Sequence, residues 1–132
     1  MQKKRERPVA GTVVRAVVLV LLLAADQLSK NWVVQNLKGA PPLVLIGGVL
    51  ELVYTENTGA AFGLFKDGNV LLIVTGLLLV ALLCWLYFRL PAGKKWNRLR
   101  NTGVVLLAGA AGNLVDRFVH GFVVDFIYFV PI

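Results

Sequence analysis

Cysteine, histidine and acidic side chains are all scarce in this 132-residue chain, and each scarcity excludes something. The only cysteine, Cys84, lies inside an apolar run, so neither a disulfide within the chain nor a cysteine metal site is available. The only histidine, His120, stands beside Gly121 with no metal-ligand cluster around it. It reads as a capping or interface residue more readily than as a base or ligand, and no metal or cofactor is expected. Charged residues make up 16% of the chain and hydrophobic ones 58%, with a mean hydropathy of +0.74. That composition excludes an ordinary soluble domain and points to an integral membrane protein. The length allows one compact unit, a single membrane domain over residues 1–132, and no second one.

Seven acids against fourteen bases leave a net charge of +7, which suggests nucleic acid until the bases are placed. Ten of the fourteen fall in two clusters that flank hydrophobic runs: Lys3, Lys4, Arg5, Arg7 and Arg15, then Arg89, Lys94, Lys95, Arg98 and Arg100. Membrane topology explains them better, with both clusters cytoplasmic and no nucleic-acid partner. Residues 70–88 carry no charge and are the clearest span. The flanking apolar runs, 16–25 and 102–115, are too short to cross alone and must take charged residues with them. Arg15 can snorkel to the inner interface, while Asp26, Lys30, Asp116 and Arg117 are carried to the outer one. The expected architecture is an α-helical membrane bundle with helices at about 11–36, 69–90 and 99–119. A signal peptide is the alternative for the first run, but Arg15 interrupts it and no small-x-small cleavage site closes it. Three crossings from an inside N-terminus put Asp116 and Asp125 outside.

Between the first two spans, 43–46 and 49–55 alternate around Gly47-Gly48 and read as a short extracytoplasmic β-hairpin within a β region at about 43–62. One face should lie against apolar material, either helix ends or lipid. The block Asn57-Thr-Gly59-Ala-Ala-Phe62-Gly63 offers small residues and a side-chain amide that would let backbone approach a ligand, but taken alone it reads more readily as a plain turn leading into the second span. Asp26 and Lys30 are four apart and suit an ion pair, with a plain interface anchor reading equally from them. Gly103, Ala108, Gly109, Ala110, Ala111 and Gly112 form a small-residue surface for close helix packing, with Asn113 placed to hydrogen-bond across it. Asp116 and Arg117 point to different parts of one helix and should find partners on other elements. For both, ion pairing and catalysis stay open. Asp125 sits among Val123, Val124, Phe126, Ile127 and Tyr128 in an extended, water-poor segment, a setting that raises a carboxyl pKa. Carboxylate-driven peptide hydrolysis needs two such groups, and Asp116 is the nearest second candidate.

Four blocks in order, Asp26-Gln-Leu-Ser-Lys30, Asn57-Thr-Gly59-Ala-Ala-Phe62, Gly109-Ala-Ala-Gly112-Asn113-Leu-Val-Asp116-Arg117 and Gly121-Phe-Val-Val-Asp125-Phe126, resemble the bacterial lipoprotein signal peptidases. These, the signal peptidase II family, are membrane aspartic endopeptidases. The resemblance implies a four-helix bundle with a small extracytoplasmic sheet, in the bacterial inner membrane with the active-site face outside. It implies a prolipoprotein substrate cleaved just before a diacylglyceryl-cysteine, within membrane lipid. It also makes Asp125 the first aspartate of a catalytic dyad. By the same matching, Asp26, Lys30, Asn57, Gly59, Asn113, Asp116 and Arg117 become substrate-binding or supporting residues, so Asp116 falls back from partner to support. A monomer is expected.

The resemblance further implies a second catalytic aspartate in a Phe-Asn-x-Ala-Asp motif at the outer end of a fourth helix, and no such motif occurs in the 132 residues. The expectation is therefore a C-terminally truncated family member, with three helices where the family has four and without peptidase activity as it stands. The alternatives are a non-catalytic lipid-peptide binder and a small structural or proton-handling membrane protein, in which buried Asp and Arg would also occur.

Overall fold

A computed structural model describes residues 9–58 and 68–130. The basic run at 3–7, Gly59 and the rest of its block through Gly63 lie outside the described residues. In chain order the elements are α1 (Val9–Leu37), β1 (Leu43–Ile46), β2 (Leu50–Asn57), α2 (Gly68–Arg89), α3 (Asn97–His120) and β3 (Val123–Phe129), with one 3-10 turn at Lys94–Trp96.

Each helix forms because a long run of apolar side chains is free of proline, and each stops at an identifiable break. α2 ends at Arg89, two residues before Pro91, which disfavours helical backbone in the residue before it. α3 ends where Gly121 takes a left-handed φ of 81° and returns its N–H to the Arg117 carbonyl at 3.1 Å. All three helices are long and apolar enough to cross a membrane. Their large side chains stay exposed along most of their length, Val20, Leu78 and Val105 among them, as suits contact with lipid.

α3 packs against both α1 and α2. Its buried residues, Val104, Ala108, Gly112 and Asp116, recur every fourth position and make one stripe. The small-residue surface is narrower than its composition suggests. A Cβ on Gly112 would meet the Asp26 side chain of α1, whereas Gly103 and Gly109 face open space. At the basic end of the bundle Arg15 does more than snorkel. Its guanidinium donates to Asn101 Oδ1 at 2.9 Å, Asn97 Oδ1 at 3.0 Å and the Tyr87 hydroxyl at 3.4 Å, tying α1 to both other helices.

The opposite end carries a three-stranded antiparallel sheet in the order β1-β2-β3. Of the paired glycines only Gly48 has a positive φ, 72°, and the Val49 N–H closes the turn on the Ile46 carbonyl at 3.0 Å. The structure resolves what the hairpin lies on: Leu52 and Tyr54, with Phe122 and Phe126, pack on a small core of Val33, Leu37 and Val124 at the end of α1. Between the pairs Leu52–Ile127 and Thr55–Asp125, β2 advances three residues while β3 advances two. Such a bulge bends a strand and re-aims side chains beside it.

Candidate functional site

The site is built where the sheet meets the ends of α1 and α3. Two consequences of local sequence create it. One helical turn separates Asp26 from Lys30, so both project from one face of α1 toward α3. Gly112 on α3 has no Cβ, which lets the Asp26 carboxylate lie against the α3 backbone.

Lys30 is only 6% exposed and all three of its N–H bonds have acceptors. They are Asp26 Oδ2 at 2.9 Å, Asp116 Oδ2 at 3.0 Å and Asn113 Oδ1 at 3.3 Å. Asp116 is 1% exposed, a burial that a carboxylate sustains only with strong partners. Its Oδ2 also receives the backbone N–H of Val124 at 3.0 Å, and its Oδ1 receives Gln27 Nε2 at 3.1 Å. The expected Asp26–Lys30 pair and the expected reach of Asn113 across the helix contact are both present. Asp116 finds its partners on α1 and β3. Arg117, next along α3, is half-buried.

One residue beyond Val124, Asp125 lies on the other side of β3. Successive strand side chains point to opposite faces, so Val124 enters the core while Asp125 shares the face of Val123, nearer the strand's exposed part. The expectation of a water-poor carboxyl is thus corrected: Asp125 is exposed, although both residues preceding it are 2% exposed. It pairs across the sheet with Thr55, and its Oδ2 accepts a hydrogen bond from Asn57 Nδ2 at 3.1 Å. Asn57, inside the β region expected at about 43–62, is the last residue of β2.

The arrangement couples two settings. A largely buried, hydrogen-bonded cluster holds the backbone of β3 from behind, and an exposed carboxylate with an amide donor stands in front. Lys30, Gln27 and the Val124 N–H between them engage both oxygens of the buried Asp116 carboxylate. His120 stacks on Phe122 with ring centroids 5.6 Å apart, at the helix end where a cap or packing residue belongs. Among the described residues no three His, Cys, Asp or Glu side chains are grouped to hold a metal ion.

Sequence reading missed Gln27, whose amide touches both Asp26 and Asp116. The signal that would have found it is its spacing, three residues before Lys30 on the same helix. It also missed the close approach that singles Gly112 out from the other small residues of α3.

Residues 18–132 match the family described as Signal peptidase (SPase) II. The chain is 40% identical over 113 residues to the lipoprotein signal peptidase of Clostridioides difficile (strain 630), covering 85% of this chain and 74% of that one. It is 37% identical over 117 residues to the lipoprotein signal peptidase of Rickettsia prowazekii (strain Madrid E), again over 85% of this chain. There it spans 58% of the relative's length. A solved structure, titled as a bacterial membrane enzyme determined by the in meso method at 1.9 Å resolution, superposes with a TM-score of 0.79. That match covers 88% of this chain and 74% of the other at 23% identity, and it speaks for the fold alone.

Proposed function

The chain belongs to the signal peptidase II family, and from that premise we propose that it forms the Asp125 side of a membrane aspartic endopeptidase active site. The substrate is a prolipoprotein whose cysteine carries diacylglycerol, and the reaction removes its signal peptide. One observation carries this reading: Asp125 is exposed, hydrogen-bonded to Asn57, and borne on a strand pinned by the buried Lys30–Asp116 pair. Hydrolysis by carboxylates divides the work between two groups. One takes a proton from water as the oxygen attacks the scissile carbonyl carbon, and the other gives a proton to the amine as the C–N bond breaks.

Asp125 is one of the two. Asp116, with both oxygens engaged, supports it and does not share the proton. The second carboxylate is the one the family resemblance puts in a Phe-Asn-x-Ala-Asp motif. Asn57, Gly59, Asn113 and Arg117 hold the substrate backbone, while Asp26, Lys30 and Asp116 order the strand. The exposed apolar helix faces put the substrate's acyl chains and the site in one lipid phase. The basic ends face the cytoplasm and the sheet faces out of the bacterial inner membrane, because clustered Lys and Arg dominate orientation. One copy suffices for the site.

A chimera tests this. Residues 1–130 joined to the C-terminal segment of the Clostridioides difficile relative should cleave a diacylglyceryl-modified prolipoprotein in detergent or liposomes, just before the modified cysteine. It should leave the unmodified precursor intact, and the 132 residues alone should cleave neither. Equal cleavage of both precursors by the chimera would contradict the proposed substrate class.

A further inference from the structure

Gln27 sits where two acidic side chains converge. Its Nε2 donates to Asp26 Oδ2 at 3.0 Å and to Asp116 Oδ1 at 3.1 Å, and lies 3.3 Å from the Gly112 carbonyl oxygen. Lys30 brings one positive charge to the same two carboxylates. Like charges this close repel in a partly buried site, so a donor that spans both relieves repulsion the lysine alone leaves.

The division of oxygens on Asp116 is the informative part. Lys30 and the Val124 N–H take Oδ2, and Gln27 takes Oδ1. Rotation of a carboxylate about its last torsion is soft, with a broad two-fold profile. A group held at one oxygen can swivel; a group held at both cannot. Gripping Oδ1 from α1 therefore aims Oδ2 at β3.

We infer that Gln27 is a positioning residue for Asp125, acting through Asp116 and the Val124 N–H to hold β3 where Asp125 meets Asn57. The inference rests on the reading of Asp125 as a catalytic carboxylate. Its rival is that Gln27 merely ties α1 to α3, which would lower stability without singling out Val124.

Two measurements separate these. In the 132-residue chain in detergent micelles, Gln27→Leu should speed exchange of the Val124 amide hydrogen ~10-fold, as befits a weakened charge-assisted bond, and leave Ala108 in the middle of α3 unchanged. In the chimera the same substitution should lower kcat ~10-fold with KM within about twofold. The swap Gln27→Glu with Asp116→Asn reverses donor and acceptor at constant charge. It should restore part of the Val124 protection that each single change loses, the mark of a direct pair. Unaltered Val124 exchange in Gln27→Leu, or equal acceleration at Ala108, would overturn the inference. So would faster Val124 exchange with kcat unchanged, since Asp125 would then keep its place without the bond. A chimera inactive before any substitution would count against the peptidase reading, and the exchange data would still decide whether Gln27 positions β3.

Discussion

Alanine at Gly112 should damage this protein while alanine at Gly103 or Gly109, on the same helix, should not. In an exposed helix interior, Gly→Ala stabilises by roughly 0.5–1 kcal/mol through backbone entropy. Gly103 and Gly109 have nothing within 4 Å of a new Cβ, so that gain, or no change, is the expectation there. At Gly112 the new methyl would overlap Asp26 Oδ2 and lie 2.9 Å from its Cγ. Overpacking costs about 1–3 kcal/mol. A displaced Asp26 also loosens its 2.9 Å pair with Lys30 and its bond from Gln27, and hydrogen bonds to charged groups are worth roughly 1.5–3 kcal/mol. Net of the helix gain, Gly112→Ala should destabilise by about 2–4 kcal/mol. The assay is unfolding in detergent micelles followed by circular dichroism, with all three variants side by side. Adding Asp26→Ala to Gly112→Ala should recover part of the loss by removing the overlap. If Gly112→Ala matches Gly109→Ala in stability, the close approach of α1 and α3 at Asp26 is wrong.

At the basic end, Arg15→Leu should cost ~1–3 kcal/mol in the same assay by removing the donor to Asn101 and leaving Asn97 Oδ1 to Arg100 alone, and Arg15→Lys should recover less than half because an ammonium cannot reproduce the fork. In the sheet, the Tyr54 phenol is pushed up to about 12 by burial first and then by its hydrogen bond to Glu56 and that carboxylate's charge. The neutral phenol is thus favoured in the fold, a contribution fully present below the unfolded value near ~10 and lost as pH rises through about 12. An ultraviolet titration should show one late tyrosine that vanishes in Tyr54→Phe; a curve unaltered by that change refutes the assignment. Fusions of a reporter active only outside the cytoplasm, placed after Gly48 and separately after Gly93, should be active at the first position and silent at the second. The reverse pattern would invert the proposed orientation.

The sequence made the helices legible because apolar runs of membrane length and flanking bases encode them locally. The Asp26–Lys30 pair was legible for the same reason, through its four-residue spacing. The second half of that cluster was not. Nothing local links Lys30 to Asp116, or Asp116 to the Val124 N–H, because those contacts depend on how α1, α3 and β3 are brought together. The apolar neighbours of Asp125 along the chain suggest a water-poor carboxyl, yet burial stops at Val123 and Val124 and Asp125 is exposed. Alternation alone does not give it either, because Val123, on the same face as Asp125, is buried. The bulge between Leu52 and Thr55 depends on the pairing of β2 with β3, which chain order alone does not encode.

Whether Asp125 takes part in the chemistry is decided by turnover of the chimera carrying Asp125→Asn, measured with saturating lipid-modified prolipoprotein. The substitution keeps size and leaves the Lys30–Asp116 cluster untouched, so the fold should hold while a chemical group is lost. General acid or base help is worth ~10² to 10⁴ in rate. A fall of that order in kcat is expected, with unfolding in detergent unchanged. Near-normal turnover by Asp125→Asn would remove that carboxylate from the chemistry and contradict the site as it is described above.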